Sequence, residues 1–141
     1  MERTRRPYFL PVASALLVVI CLAWAANQLH LRHLTSELQS LADEKMAEFE
    51  PNGEMAFASG DRMGAKVVVA KPYVFWGAPS GKVSVFIGHN QDGGAERIDG
   101  FDFFFARDAD AAWILTESGH CASDECSVEG KAVLDALNTS F

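Results

Sequence analysis

Three groups of residues have the types and spacing that chemistry would need. The first is His120-Cys121 with Cys126 close behind, in the polar stretch Glu117-Ser118-Gly119-His120-Cys121-Ala122-Ser123-Asp124-Glu125-Cys126. An imidazole and two thiols are soft metal ligands, but a fourth local ligand and CxxC spacing are missing. A thioredoxin-like redox pair would also want CxxC. The expectation is a disulfide between Cys121 and Cys126, given the oxidising location argued below. The second group spans Gly88 to Asp99. Asn90, Asp92, Gly93 and Asp99 fall at the third, fifth, sixth and twelfth positions of a calcium loop. Gly88 offers no ligand at the first position and the flanks read as strands, so a hairpin is expected instead. The third group is His30 and His33, which share one face of a helical stretch. No third ligand accompanies them, and they read as polar surface.

His89 and His120 are the other histidines, and either could act as a general base in a pocket. No nucleophile elbow, phosphate loop, dinucleotide fingerprint or zinc-protease motif is present. No catalytic residue, metal or cofactor is therefore assigned, and an enzyme is not the expectation.

The element that positions everything else is Pro7–Leu29, PYFLPVASALLVVICLAWAANQL, which carries no charge. A bilayer core of about 30 Å needs about 20 apolar residues in a helix. Pro7 and Pro11 fall in the first turns, where a missing N–H costs little. Tyr8 and Trp24 sit near the ends, as interfacial aromatics do. Arg3, Arg5 and Arg6 precede the span and Arg32 alone follows closely, which places the N-terminus in the cytoplasm and the rest outside. A cleavable signal peptide, cut at Ala23-Trp24-Ala25, is the rival reading. It is disfavoured because its apolar core is usually only 7–15 residues. Cys21 lies within the span and reads as apolar filler.

The chain has 141 residues and a formal net charge of −7. Three arginines and one glutamate in residues 1–6 give +2, leaving −9 for the remainder. An acidic domain argues against a nucleic-acid partner, whose phosphates need clustered Lys and Arg. The part beyond the anchor is long enough for one small core.

Helical character continues from Gln28 to Glu50 without Gly or Pro, and Glu50-Pro51-Asn52-Gly53 ends it. Leu31, Leu34, Leu38 and Leu41 form one stripe. The stripe stops after two heptads, too few for a coiled coil. Packing on the protein's own sheet is the first expectation; a homodimer seam or a partner helix is the alternative.

Strands follow. Ala65–Trp76 is rich in Val and aromatics, interrupted by Pro72. Lys82–His89 alternates, with Val83, Val85 and Ile87 on one side and Phe86 as an exception. Asp92-Gly93 favours a hairpin. Glu96–Ala106 is the next strand, and because Ile98 and Phe101 differ in parity, Gly100 reads as a bulge. Ala111–Glu117 is the last, with Trp113 and Leu115 on one face. Ser127–Asn138 forms a final amphipathic helix, capped by Ser123 or Asp124. Phe103-Phe104-Phe105 must place rings on both faces of the sheet. Either both faces are covered, one by each helix, or one exposes an interaction patch. Trp76, Phe86 and Phe104, with Leu31, Leu34, Leu38 and Leu41 of the stalk, are the candidate interaction residues.

The expectation is an α+β chain: residues 1–6 cytoplasmic, 7–29 a transmembrane helix, 30–50 a stalk helix, and 51–141 an extracytoplasmic domain. That domain is an antiparallel meander of about four strands with a C-terminal helix. It would sit in an inner-type membrane and bind another membrane or envelope component. The outline resembles that of type IV pilins: an apolar N-terminal helix running into a stalk, a meander, and a late cysteine pair. The resemblance implies a fibre or secretion-system subunit. It is architectural only, since the Gly-Phe-Thr-Leu-x-Glu-like processing site before the apolar run is missing.

Overall fold

In the computed structural model, residues 9–49, 61–70, 78–90, 94, 96–121 and 124–139 are described. Helix α1 spans Phe9–Glu48 as one uninterrupted helix, joining the apolar span and the stalk. Its most apolar eighteen-residue window has a mean hydropathy of 2.0 with none of it buried, so α1 is long and apolar enough to cross a membrane. Trp24 and the aliphatic residues from Val12 to Leu22 are all exposed. The character changes further along, where Leu34, Leu38 and Ala42 are fully buried.

Four strands follow: β1 (Arg62–Ala70), β2 (Ser80–Asn90), β3 (Glu96–Arg107) and β4 (Trp113–Cys121). They pair antiparallel in the order β1-β2-β3-β4, a plain meander. Helix α2 (Asp124–Asn138) closes the described chain, with Asp124 and Glu125 in its first turn, where carboxylates suit the helix dipole.

The register explains why both parities of β2 are apolar. Val83 and Val85 pack with Leu38, Ala42 and Phe105 on the face that α1 covers, joined by Val67, Phe103 and Trp113. Phe86 points the other way, into a second cluster with Cys126 and Leu134 of α2. The sheet is thus held between two helices, and β2 is buried from Val83 to Gly88. Phe86, an irregularity in the alternation, is the centre of the α2 core.

Two glycines let the layers close. A Cβ at Gly81 would strike the Leu38 side chain, and one at Gly100 would strike Cys126 Sγ and meet Phe86 at 3.3 Å. Gly100 is in regular register, opposite Phe86 and Cys121, so the expected bulge there is corrected. Ile98 and Phe101 differ in parity because each has its own helix to pack on: α2 for Ile98, and Phe49 at the end of α1 for Phe101. The irregularity lies instead between Phe104 and Phe105, where β4 carries Thr116 as the extra residue. The last strand, expected to end at Glu117, continues through the polar run Ser118–Cys121. As the outer strand, β4 is exposed over most of its length, which removes the apolar signal.

Cys121 and Cys126 are paired, with Cα atoms 6.0 Å apart, and tie the end of β4 to the first turns of α2. So short a loop restrains little unfolded-chain entropy, for about 2 kcal/mol of stabilisation.

Candidate functional site

Glu37 and Leu38 of α1 lie against Arg107, Trp113 and Gly81, whereas Phe49 lies against Phe101 and Phe103. The helix therefore runs along the strands. One end of the sheet sits beside the apolar span of α1 and the other is remote from it.

The remote end carries a line of titratable side chains. His89 lies between two carboxylates: its Nδ1 is 2.9 Å from Asp61 Oδ2 and its Nε2 is 3.3 Å from Asp99 Oδ2. The Asp61 side chain is only 3% exposed, and its other oxygen accepts from the Asn90 N–H at 3.3 Å. Arg97 reaches Asp99 Oδ1 at 3.3 Å, and His120 Nε2 is 3.9 Å from the same oxygen. The His120 ring stands edge-on to Phe101 at 5.0 Å. Register makes this cluster. His89 is opposite Arg97, and His120 is opposite Phe101, so Asp99 is the diagonal neighbour of both histidines. Both ring nitrogens of His89 have carboxylate partners, which leaves neither for a substrate. Among the described residues, no hydrogen bond joins His120 to a nucleophile, and no group of three or more His, Cys, Asp or Glu is arranged to hold a metal.

Beside the cluster is a cavity of about 480 Å³ lined by Glu96, Arg97, Ile98, Asp99 and His120, and by Ser127, Val128 and Lys131 of α2. Its floor is braced from behind. Arg62 makes a two-pronged contact with Glu96 and also reaches Asp135 Oδ1 at 3.2 Å, joining β1, β3 and α2. The hydrogen bonding of Arg62 to Glu96, with the guanidinium donating, raises the Arg62 pKa from its ordinary value; burial opposes this and Asp135 adds to it.

The near end carries a different hub. Glu37 accepts two hydrogen bonds from Arg107, at 2.9 and 3.0 Å, and one from Trp113 Nε1 at 3.0 Å. Its Oε1 is also 3.2 Å from His33 Nε2. This fixes the helix against the β3–β4 turn with charge-assisted bonds.

α2 covers only the remote half of its face of the sheet. On the near half, Val68, Phe104 and Ile114 are exposed by 45%, 38% and 50%. Between them Asp102 accepts from Ser84 Oγ at 2.6 Å and pairs with Lys82 at 2.9 Å, while Lys66 pairs with Glu129. Among the candidate interaction residues, Phe104 is part of this open half-face. Phe86, Leu34 and Leu38 are buried, so they belong to the core and not to a surface; this corrects their expected role. Leu31 and Leu41 are half-buried, and Leu41 packs on the α1 core. The leucine stripe is used by the protein's own domain. Trp76 lies outside the described residues.

Asp61 and the His89–Asp99–His120 alignment had no role in the sequence reading. The signal was present only as register: a hairpin centred on residues 90–96 brings His89 and Asp99 diagonally together. Compared with known proteins, the chain matches no family model, no curated protein and no solved structure.

Proposed function

We propose that this is a single-pass membrane protein, with its N-terminus in the cytoplasm, that holds a small α+β domain against the outer surface of an inner-type membrane. Its work is to bind another membrane or envelope component, as a scaffold or an assembly aid. The observation that carries this reading is the two-fold character of α1. One continuous helix has an apolar, wholly exposed first part and a second part that forms the domain's core. Lipid is the solvent that suits the first part. Arg3, Arg5 and Arg6 ahead of the span orient it, and the Cys121–Cys126 pair suits an oxidising compartment.

The geometry then sets a working height. Leu34 lies about 7.5 Å beyond Leu29 along the helix axis, so the near end of the sheet would stand at headgroup level. A domain fixed there by the Glu37 hub meets partners that are themselves in the membrane.

The test is chemical crosslinking in intact membranes, followed by recovery through a C-terminal tag and mass analysis. The expected result is the uncut chain linked to a different membrane or envelope protein. Recovery of monomer alone would overturn the reading. A chain beginning after Ala25 would replace it with a secreted domain, and self-linked ladders would replace it with a fibre subunit.

A further inference from the structure

We infer that the open near half of the sheet's α2 face is a docking site for a basic amphipathic helix of a membrane partner. This rests on the binding role proposed above and names what is bound. The register puts Val68, Phe104 and Ile114 on this one face: Val68 and Phe104 both flank Lys82, and Ile114 is opposite Ala106. All three side chains are exposed. Exposed apolar residues gathered on one face mark a partner surface.

α2 shows how a helix fits this face. A Cβ at Gly100 on β3 would strike Cys126, one at Gly130 would strike Ile98 and Phe86, and one at Gly64 on β1 would strike Leu137. α2 therefore crosses β3, β2 and β1 in turn, transverse to the strands, and leaves the near half as a band beside it. Four strands about 4.8 Å apart make that band about 14 Å wide, the length of about ten helical residues. An apolar sheet face is covered by a helix layer. With the strands running along α1, a helix docked beside α2 would lie flat at headgroup level. That is how a basic amphipathic helix lies in a membrane interface.

The charge on this half is negative once its pairs are counted. Lys66 is matched by Glu129 and Lys82 by Asp102. Glu117, opposite Phe104 on the same face, is exposed and has no cationic partner among the described residues. Glu125 precedes Glu129 by one turn, so it lines the same flank of α2. It too is exposed without such a partner. Arg107, at the same end, is held by Glu37 on the other face. Two carboxylates beside three apolar side chains suit an occupant that presents Leu with Lys or Arg, and they repel anionic lipid.

The test uses the full chain in phosphatidylcholine nanodiscs and fluorescence anisotropy of a labelled, end-blocked peptide, Leu-Lys-Lys-Leu-Leu-Lys-Lys-Leu-Leu-Lys-Lys-Leu, with empty discs as the reference. The expected result is saturable binding above that of empty discs. Binding should weaken by about tenfold or more in the Glu117→Lys/Glu125→Lys variant and also in Phe104→Ser, each with unchanged circular dichroism. Binding no greater than to empty discs, equal binding of the same peptide with Glu for Lys, or undiminished binding by both variants would each overturn the inference. So would a benzophenone placed at residue 104 that links only to a second copy of the chain or to lipid. If the Glu117→Lys/Glu125→Lys variant still crosslinks the membrane partner at full yield, the half-face site falls and the proposed function stands. Recovery of monomer alone from the unaltered chain removes both.

Discussion

Gly100 and Gly119 sit on neighbouring strands and are opposite in what surrounds them. At Gly100 a new Cβ would meet Cys126 Sγ and the Phe86 ring, and the disulfide holds that sulfur in place. At Gly119 nothing lies within 4 Å. Overfilling a tight core costs about 1–3 kcal/mol. Removing glycine's freedom where the backbone is compatible gains about 0.4–1 kcal/mol. Gly100→Ala is therefore expected to lower the denaturation midpoint and Gly119→Ala to raise it slightly, measured on the full chain in micelles. This pair also shows what the sequence could not reveal. Gly100 lies between Ile98 and Phe101, whose parity clash suggests a bulge if only one face is assumed apolar. With α2 on the second face the clash disappears, and the glycine is explained by the sulfur packed on it.

Helix α1 is two elements in one. Its second part sits in the core through Leu34, Leu38 and Ala42, while Leu16 and Leu17 are 61% and 65% exposed. Leu38→Ala should cost about 2–5 kcal/mol, as buried leucine truncations do. Leu16→Ala should leave the domain's melting unchanged within about 0.5 kcal/mol. Equal losses at both sites would mean that the first part is also packed against protein. The element types were largely legible. Val83-Val85-Ile87 and Phe101-Phe103-Phe105 announce strands by alternation, and the charge-free run announces the helix. β4 was legible only up to Glu117. Ser118, Gly119 and His120 are exposed on an outer strand, so no apolar period marks them. The candidate site was less legible still. Asp61, His89, Asp99 and His120 meet through strand register, and register depends on turn geometry that composition does not encode.

For the whole molecule, the proposed topology makes a direct prediction. Protease added to right-side-out vesicles should reach the domain, and a tag placed ahead of Arg3 should be cut only in inverted vesicles. The reverse pattern would refute the orientation argued from Arg3, Arg5 and Arg6. The Arg62–Glu96–Asp135 and Glu37–Arg107–Trp113 contacts join helices to sheet at opposite ends, so helix, sheet and α2 should respond as one unit. A displacement of the remote end by a bound partner would then be carried along α1 as tilt of the apolar span.

The order of synthesis gives the continuity of α1 a further meaning. Glu37 and its partner Trp113 are 76 residues apart in the chain. At about 5–20 residues per second the ribosome needs roughly 4–15 s to supply that partner. In the proposed topology, the stripe of Leu34, Leu38 and Ala42 would leave the translocon without a sheet to cover it throughout that interval. The nearest apolar phase would then be the bilayer holding the first part of the same helix, so the membrane would shelter the domain's nascent core before it becomes its anchor.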